Sequence, residues 1–582
     1  MLVSGFGVLL ISLCSFHAKS RIPPSPEKIY LHLDRYLYLT GERLWYKAYV
    51  MDAGSRIEFS ASKVLYLEMY DSERKRVTQQ ILMLEQGQSH GDIYLPDTLS
   101  SGICILVAYT NSMKNTDASS LYRKEFMVFN RFELPGDRPD SGSPKAGISR
   151  RQDSIRWQPP MDAHASLMGN RTSYRTREKV SLEILISHDA APAPSVFSVS
   201  AARVPPVERI DDHTILDIFD NPATGNKPGV TETSDNQPCE HAGLIIRGEL
   251  LWKDGSKPVR DKRLWLAIPD SIPVFDYCRT DSMGRFCFIL DQHYSSSQLY
   301  LQIKDRKVKA DSVRIRWQNH FRDSIMLPDE IPAMPEIDQE YLVLQQKRIA
   351  IGHAYGIDQE LVPDPSMDEE TTHPYPFYGI PEAVIYPDDY LPLPNLKEIA
   401  RELLTGTRFT GQPGRYSLDV FNPVTRKYML QPFVLLDGVP VHDFDKAAEL
   451  GSSNLDRIEI QQTVRVYGDL IFEGMVALYT KGRLIHNMDL SATHLKYNFP
   501  KFKRSLIPKM PDYKTDENSR NIPDFRDLLY WGPVNRTGHD GQGHIEFYTS
   551  DETGLFRITV EGFTLNGVPF STSADFYVLE KK

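Results

Sequence analysis

Three segments between residues 432 and 481 decide the fold of the second half of the chain. They are Pro432-Phe-Val-Leu-Leu-Asp-Gly-Val-Pro440, Leu455-Asp-Arg-Ile-Glu-Ile460 and Gly474-Met-Val-Ala-Leu-Tyr-Thr-Lys481. Each contains a short apolar run bounded by Gly, Pro or a charged residue, which is typical of a β-strand. Between the first two, Phe444 to Gly451 predicts a helix or a turn. Together the segments predict a small α+β domain.

The order of these elements resembles the plug domain of TonB-dependent receptors, over residues 331–485. The residues that carry the resemblance are Asp437, Gly438, Val439 and Pro440 in the turn, Glu459 in the middle segment, and Gly474, Thr480 and Lys481 in the closing strand. Large outer-membrane barrels, which such plugs fill, use up to about 22 strands of roughly ten residues. The chain of 582 residues ends soon after Lys481. We therefore expect a plug-like domain that lacks its own barrel and either docks to a membrane partner, such as an outer-membrane barrel, or acts as a spacer.

The first domain, residues 21–131, alternates aromatic and polar residues in Tyr30-Leu-His-Leu-Asp-Arg35 and Leu44-Trp-Tyr-Lys-Ala-Tyr49 around a Gly turn. Further strand-like segments follow at a spacing of roughly ten residues, which suits an immunoglobulin-like sandwich. The segments resemble the second macroglobulin domain (MG2) of α2-macroglobulin-like proteins. Protease trapping by that family needs a Cys-x-Glu-Gln thioester, and here Cys239-Glu240 is followed by His241. The resemblance therefore implies a domain type and not a thioester trap.

Residues 132–240 predict a linker followed by a second, weaker β-sandwich, with strands at 178–187 and 195–202. Residues 241–330 predict a small sandwich around an Asp/Gly turn and resemble the carboxypeptidase regulatory-like domain, which has a transthyretin-like fold. Residues 486–582 predict a further linker and a C-terminal β-sandwich. Helical periodicity at 336–348 and 395–404 falls inside the plug-like region. The fold class is therefore mainly β and multidomain, with tandem immunoglobulin-like or macroglobulin-like sandwiches and one small α+β domain.

Cys278 and Cys287 lie at equal distances from a turn centred on Ser282 and Met283. In a β-hairpin they would be opposed and would point to the same side. That register places Phe275, Tyr277, Phe286 and Phe288 on the other, core-facing side. The pair predicts either a cross-strand disulfide or two packed thiols.

The first 20 residues predict a signal peptide, because an apolar run from Leu2 to Phe16 is followed by the small-residue pattern Ala18-Lys-Ser20. Cys14 leaves open a lipoprotein anchor, although Leu13 stands where a small residue is expected. No later segment approaches the length of a transmembrane helix. We therefore expect an exported protein of the periplasm or the outer membrane.

Composition and motifs exclude several function classes. A net charge of −10 and only short basic clusters argue against nucleic acid as a partner. The sequence has no zinc-peptidase motif, nucleophile elbow or phosphate-binding loop. Adjacent acids such as Asp211-Asp212 and Asp388-Asp389 would point to opposite faces of a strand, so they do not form an acid/base pair by themselves. His539 and His544 lie in a Gly-rich turn that predicts a solvated loop. We therefore expect no catalytic, cofactor-binding or metal-binding residues.

These features predict a non-enzymatic envelope protein that acts as a multidomain scaffold or partner-binding module through sheet edges and loops. The first alternative is an accessory component of TonB-dependent nutrient uptake that holds a peptide or a glycan. The second is a hydrolase whose site only folding assembles. Aromatic residues clustered on one exposed face would favour a glycan ligand, whereas bare strand edges would favour a protein.

Overall fold

The computed structural model describes residues 27–52, 61–133, 163–219, 237–254, 257–291, 294–305, 307–328, 332, 334–355, 361–364, 375–412, 416–430, 432–441, 445–490, 493–515 and 521–581. The predicted signal peptide, Cys14 and Phe444 lie outside these residues. Within the described ranges, none of the helices combines the length and the apolar composition that crossing a membrane requires.

Strands dominate the structure, which confirms a mainly β, multidomain fold. The strands are β1 (Glu27–Leu33), β2 (Leu37–Leu39), β3 (Arg43–Asp52), β4 (Val64–Tyr70), β5 (Arg76–Met83), β6 (Gln88–Tyr94), β7 (Gly102–Tyr109), β8 (Tyr122–Phe129), β9 (Ala163–Met168), β10 (Ser173–Arg175), β11 (Lys179–His188), β12 (Ala191–Pro192), β13 (Ser195–Arg203), β14 (Leu244–Trp252), β15 (Arg263–Ile268), β16 (Val274–Arg279), β17 (Arg285–Leu290), β18 (Gln298–Ile303), β19 (Val313–Trp317), β20 (Leu361–Pro363), β21 (Ala383–Ile385), β22 (Thr407–Thr410), β23 (Ser417–Asn422), β24 (Lys427–Met429), β25 (Phe433–Leu436), β26 (Val439–Pro440), β27 (Leu455–Gln461), β28 (Arg465–Tyr467), β29 (Leu470–Phe472), β30 (Met475–Thr480), β31 (His494–Asn498), β32 (Leu506–Pro508), β33 (Leu528–Arg536), β34 (Gln542–Tyr548), β35 (Gly554–Thr564) and β36 (Pro569–Leu579). The α-helices are α1 (Ile215–Phe219), α2 (Gln339–Tyr355), α3 (Leu396–Glu402) and α4 (Asp445–Ala448).

The chain divides into two compact units, which we name by their place in the sequence. The central unit contains Leu244–His320 and Thr371–Phe502. The flanking unit contains Ile22–Gly243, Phe321–Glu370 and Lys503–Lys582. The sequence of the central unit is thus inserted, in two pieces, into that of the flanking unit.

The flanking unit begins with a sandwich of two sheets, β1-β3-β6 and β2-β8-β7-β4-β5. Large aromatic side chains are buried in this part of the flanking unit, among them Tyr38, Trp45, Tyr66, Tyr109 and Phe126, all of which are at most 1% exposed. Burying such rings supplies most of the driving force for a domain of this size. The predicted immunoglobulin-like sandwich is therefore present in this part of the chain.

A second sandwich of the flanking unit is built from two distant parts of the sequence. Its sheets have the orders β10-β36-β35-β13-β33 and β12-β11-β34, with β9 also paired to β11. The prediction of two separate sandwiches, one in residues 132–240 and one in residues 486–582, is therefore wrong. The physical reason is β13, which is buried along nearly its whole length and therefore needs a neighbour on each edge. Strands β33 and β35 provide those neighbours.

Helix α2 confirms the helical periodicity at residues 336–348, but it belongs to the flanking unit and not to the α+β domain. Its Tyr341 packs against Leu37, Leu39 and Phe129 of the first sandwich. The boundary predicted at residue 331 is corrected accordingly, since periodicity identifies a helix without identifying the surface that buries it.

The central unit contains a small sandwich with sheets β17-β14-β19 and β16-β15-β18-β31. Strand β31 lies far beyond the boundary predicted at residue 330. The predicted hairpin between β16 and β17 is wrong, because β16 pairs with β15 and β17 pairs with β14. Cys278 and Cys287 therefore lie in different sheets and are not opposed in a ladder. A disulfide between them stays a prediction.

The α+β domain of the central unit has a five-stranded sheet of order β21-β27-β30-β25-β26. The predicted strands at 433–436, 455–460 and 474–481 are confirmed as β25, β27 and β30, and the predicted helix at 395–404 is α3. The Asn395 side chain caps this helix by accepting a hydrogen bond from the backbone of Glu398. One face of the sheet packs against α3 through Leu396 and Ile399. The other face meets an aromatic cluster that is described below.

Phe197→Ala tests whether the two parts of the second sandwich fold as one. Phe197 is fully buried on β13, and removing such a side chain costs about 3–5 kcal/mol. We expect hydrogen exchange to speed up in β35 and β36 as well as in β13. Met168→Ala is the control, because Met168 of the same sandwich is 52% exposed. Faster exchange confined to residues 163–203 would contradict the shared sandwich.

Candidate interaction surface

The plug-like motif residues lie mainly inside the α+β domain. Seven of the eight are buried, and only Lys481 is exposed. Asp437 and Gly438 have positive φ angles of 49° and 86° at the turn that joins β25 to β26. Val439 and Pro440 form β26, which returns to pair with β25. The turn therefore completes one edge of the sheet.

The Asp437 carboxylate joins this turn to the end of β30. One oxygen accepts a hydrogen bond from the Thr480 amide at 2.7 Å, and the other accepts from the Thr480 hydroxyl at 2.6 Å and from the Ile485 amide at 3.1 Å. Asp437 is 3% exposed. A buried carboxylate with three donors is a structural clamp, because each bond satisfies a group that would otherwise be buried without a partner.

The other motif residues are placed apart from this clamp. Glu459 on β27 accepts hydrogen bonds from the Tyr378 hydroxyl at 2.6 Å and from Arg457 Nε at 2.8 Å. Gly474 precedes β30 at the opposite end from Thr480, and Lys481 forms an exposed ion pair with Asp388 at 2.8 Å. The structure thus brings Asp437, Gly438, Val439, Pro440, Thr480 and Lys481 to one end of the sheet and leaves Glu459 and Gly474 elsewhere. Their contacts are those of a structural framework.

An aromatic cluster holds the hairpin formed by β28 and β29 against the small sandwich of the same unit. The hairpin contributes Tyr467, Leu470 and Phe472, which pack against side chains that include Phe275 and Phe433. The rings of Phe433 and Phe472 are 4.4 Å apart and those of Phe275 and Phe377 are 4.5 Å apart, measured between centroids. Each such aromatic pair contributes about 0.5–1.5 kcal/mol beyond its buried area.

Polar contacts fix the tip of the hairpin. The Tyr467 hydroxyl donates to the Phe275 carbonyl at 3.1 Å, and the Asp469 amide donates to the Tyr277 hydroxyl at 2.8 Å. Asp469 also forms an ion pair with Arg263 at 2.6 Å. Gly468 has a φ of 60°, and a Cβ there would lie 1.9 Å from the Tyr277 hydroxyl. A larger residue at this turn would adopt a strained backbone conformation and displace the Tyr277 ring.

The outward face of the same hairpin is apolar and exposed. Val466 and Ile471 are directly paired across the two strands, and each is 68% exposed. Val464, just before β28, is 44% exposed. Three β-branched side chains on an anchored hairpin form a surface that can be buried only by another molecule or by residues outside the described ranges.

Strand β21 extends this surface along the edge of the five-stranded sheet. The Glu382 carboxylate, just before β21, accepts hydrogen bonds from the Gln462 amide at 2.8 Å and from the Thr463 hydroxyl. Ile380 is 61% exposed and Val384 is 41% exposed. Among the described strands only β27 pairs with β21. We call the side chains of Ile380, Val384, Val464, Val466 and Ile471 the exposed apolar patch.

Sequence reasoning missed the exposed apolar patch. The alternation Val464-Arg465-Val466 before the turn was the available signal, since period-2 alternation predicts a half-buried strand. It does not tell which of the two faces is covered. The structure shows that the apolar valines face outward, while the inward side carries Arg465 opposite Phe472.

A serine, a histidine and a glutamate meet in the flanking unit, in an arrangement that resembles a hydrolytic triad. Ser198 Oγ is 2.7 Å from His32 Nδ1, and His32 Nε2 is 3.8 Å from Glu561 Oε2. The three residues are at most 4% exposed, and burial lowers the pKa of His32. Tyr30 also donates to Glu561 at 2.7 Å. Because a substrate has no access, the group is a hydrogen-bonded junction between the two sandwiches.

Lys47 is a second buried ionisable group of the flanking unit. It is 2% exposed, and burial lowers the pKa of its ammonium group to about 7, against the opposing effect of Asp364 and Glu85. Asp364 also lies 2.9 Å from His90 Nε2. Within the described ranges, no group of three or more His, Cys, Asp or Glu side chains is arranged to hold a metal ion. These buried charges are enclosed, whereas the exposed apolar patch faces solvent in the described structure.

Comparison with known proteins leaves the family open. No protein-family model and no curated protein matched the chain. Solved structures that align with it include trypsin-activated α2-macroglobulin from Escherichia coli (10% identity, 96% of this chain, 42% of that chain, TM-score 0.24) and Salmonella α2-macroglobulin reacted with methylamine (10%, 96%, 40%, 0.25). The adhesin InvE of Yersinia pseudotuberculosis aligns over 50% of this chain and 57% of its own, with 9% identity and a TM-score of 0.11. The chain thus spans about two fifths of the macroglobulins, and superpositions this loose carry no inference about fold or function.

Asp437→Ala tests the clamp at the end of β30. Each buried donor left without a partner costs about 1–3 kcal/mol, so we expect a clearly lower urea midpoint and faster hydrogen exchange in β25 and β30. Asp389→Ala is the control, because Asp389 is exposed on the same domain. Equal stability of the two variants would contradict the clamp.

Lys47→Met tests the buried lysine through pH. The folded pKa of about 7 lies below the unfolded value of about 10.4, so the folded state binds fewer protons between these pH values. Burial of the Lys47 ammonium group lowers the free energy of unfolding. This loss is largest at and below about pH 7, and it shrinks as the pH rises, by at most about 1.4 kcal/mol per pH unit. We expect Lys47→Met to be more stable than the wild type at pH 7, with a gap that narrows by pH 9.5.

Urea unfolding at each pH gives this gap directly. Lys63→Met is the matched control, since Lys63 is exposed on the same sandwich. If the stability difference between Lys47→Met and the wild type stayed constant with pH, the lowered pKa of Lys47 would be contradicted, because a difference in packing alone does not depend on pH.

Proposed function

We propose that the protein is a non-enzymatic scaffold of the cell envelope that binds a partner protein through the exposed apolar patch. The observation that carries the proposal is the hairpin of β28 and β29, which is anchored by buried aromatic rings on one side and presents Val466 and Ile471, each 68% exposed, on the other. Soluble proteins seldom leave adjacent apolar side chains exposed on a rigid element unless another molecule covers them.

The edge of β21 supports a protein as the occupant. A strand with an open edge offers backbone donors and acceptors to an extended segment, and pockets between alternate side chains give such pairing its specificity. The patch is aliphatic, which suits apolar protein side chains better than sugar rings. The signal-peptide pattern of residues 1–20 supports export to the periplasm or the outer membrane. A lipid on Cys14 would be one way to anchor the protein to a membrane. An outer-membrane barrel remains the partner that the plug-like resemblance suggests.

One observation favours the accessory role in uptake of a peptide or glycan. Tyr386 and Tyr390, which follow β21, are 50% and 53% exposed, and exposed aromatic rings can stack on sugars. Substituting both with alanine separates the two functions, because a glycan ligand would be lost while a partner held by the patch would be retained. The partly exposed Cys239 lies 3.3 Å from His241 Nδ1, but burial raises the pKa of its thiol to about 11, so this pair does not support the hydrolase alternative.

Val466→Lys tests the proposed function. A charge at the centre of an apolar interface loses binding when the interface desolvates it, so we expect at least a tenfold lower yield of the stoichiometric partner in a mild-detergent pull-down from fractionated envelopes. Val424→Lys is the matched control, because Val424 is 78% exposed elsewhere on the same domain. Surface changes of this kind alter stability by about 0.5 kcal/mol or less.

The comparison between the two lysine variants decides the result. Loss of the partner with Val466→Lys and its retention with Val424→Lys support the patch. Retention with both variants, or a wild-type protein that purifies alone, contradicts the proposed function.

A further inference from the structure

Three basic side chains form a row across the sheet β1-β3-β6 of the flanking unit. His32 on β1 is directly opposite Lys47 on β3, and Lys47 is directly opposite His90 on β6. Opposed residues of antiparallel strands point to the same face of the sheet, so the three bases lie side by side. Each of them is at most 4% exposed. We call these three side chains the buried basic row.

The face that carries the row packs against the second sandwich of the same unit. Trp45 and Tyr49 flank Lys47 on β3 and share its face, because side chains alternate along a strand. Trp45 belongs to one buried cluster with Trp531 of β33. The Tyr49 hydroxyl lies 2.9 Å from the Ser198 hydroxyl of β13. The buried basic row is therefore part of the junction between the two sandwiches.

The charged groups that act on the row, among the described residues, are three carboxylates and three cations. The carboxylates are those of Glu85, Asp364 and Glu561, and the cations are Lys124, Arg209 and Arg536. Two further acids next to the row, Asp34 and Asp92, form ion pairs with Arg35, Arg43 and Lys503. If all three bases of the row were protonated, positive charges would therefore outnumber the carboxylates that face them.

The two histidines are placed as neutral rings in the closed junction. His32 Nδ1 lies 2.7 Å from Ser198 Oγ, whereas His32 Nε2 has no hydrogen-bond partner among the described residues and lies 3.8 Å from Glu561 Oε2. Burial lowers the pKa of His32 and also that of His90, although Asp364 lies 2.9 Å from His90 Nε2. Once separated and hydrated, both rings would regain the ordinary pKa of about 6.5. Below that pH an open junction therefore binds more protons than a closed one.

We propose that the buried basic row is an acid-sensitive latch, in which protonation of His32 and His90 beside Lys47 releases the second sandwich from the first in mildly acidic solution. Each extra proton that the open form binds favours opening by up to about tenfold per pH unit. Lys47 strengthens the effect, because its positive charge opposes that of protonated His90. Release exposes the rings of Trp45 and Trp531. The latch is independent of the exposed apolar patch, which belongs to the central unit.

Thiol labelling of full-length Ser200→Cys protein measures this opening. Ser200 on β13 is 4% exposed, and its hydroxyl donates to the Asp34 carbonyl of the first sandwich at 3.0 Å, so a thiol at position 200 is accessible when the junction opens. The reagent is dithiodipyridine, which also reacts in mild acid. The labelling rate is divided by that of the urea-unfolded chain at each pH. Mass spectrometry of the peptides separates position 200 from the native cysteines.

Cys104 provides the internal control, because it is fully buried on β7 of the first sandwich and reports unfolding of that sandwich. From pH 7.5 to pH 5 we expect the corrected labelling rate at position 200 to rise at least about tenfold. The corrected rate at Cys104 should stay unchanged over the same range.

Substitution of both histidines assigns the rise to the buried basic row. His32→Asn and His90→Gln, combined in the Ser200→Cys protein, keep a polar atom for Ser198 and for Asp364 but cannot take up a proton. Most of the pH dependence should therefore disappear. His164→Asn is the matched control, because His164 is exposed on β9 of the second sandwich, and it should leave the rise intact.

Three outcomes would overturn the latch. The first is a corrected rate at position 200 that does not change with pH, and the second is an equal rise at Cys104, which would mean unfolding of the sandwich. The third is a rise that persists when both histidines are replaced. The first two need no histidine variant, so the experiment decides even if the double substitution prevents folding.

Discussion

The packing of the aromatic rings of Phe275, Phe377, Phe433 and Phe472 is the interaction on which the surface of the central unit depends. These rings come from the small sandwich, from the segment before β21, from β25 and from β29. A two-stranded hairpin is marginal in water by itself, so β28 and β29 need this support. Once their inward side is buried, the pleat of the strands forces Val466 and Ile471 to face outward. Exposure of the patch is thus a direct result of how the hairpin is anchored.

A comparable constraint organises the flanking unit. Strand β13 is buried on both faces and needs neighbours on both edges, and the chain supplies them only after the whole central unit has been inserted. Tyr30, His32 and Tyr49 of the first sandwich then meet Ser198 and Glu561 of the second in a buried hydrogen-bonded junction. Such pairing over long sequence separation is slow to form, because the loop must close before any contact rewards it. The two pieces of the second sandwich therefore depend on each other for stability.

The sequence predicts those features that local patterns determine. Strands β25, β27 and β30 are bounded by Gly, Pro and Asp, and α3 has a capping Asn395, so their positions follow from neighbouring residues. Pairing across long separations leaves no local trace, which is why the union of residues 163–203 with 528–579 and the addition of β31 to the small sandwich could not be foreseen. The arrangement of β16 and β17 in different sheets has a similar cause, since a turn sequence does not distinguish a hairpin from a connection between two sheets. The eight plug-like motif residues were found by resemblance, yet their burial shows that they build the domain, while the residues that face outward lie in the hairpin beside them.

Exposed apolar surface carries a risk of self-association, and the rim of the patch bears on that risk. Val466 and Ile471 on one copy would fit those of another well enough by shape and polarity alone. Glu473, which is exposed and lies two residues after Ile471 in the sequence, would oppose such a contact if it brought two copies of this carboxylate together. The chain as a whole carries a net charge of −10, which adds a weaker repulsion of the same sign.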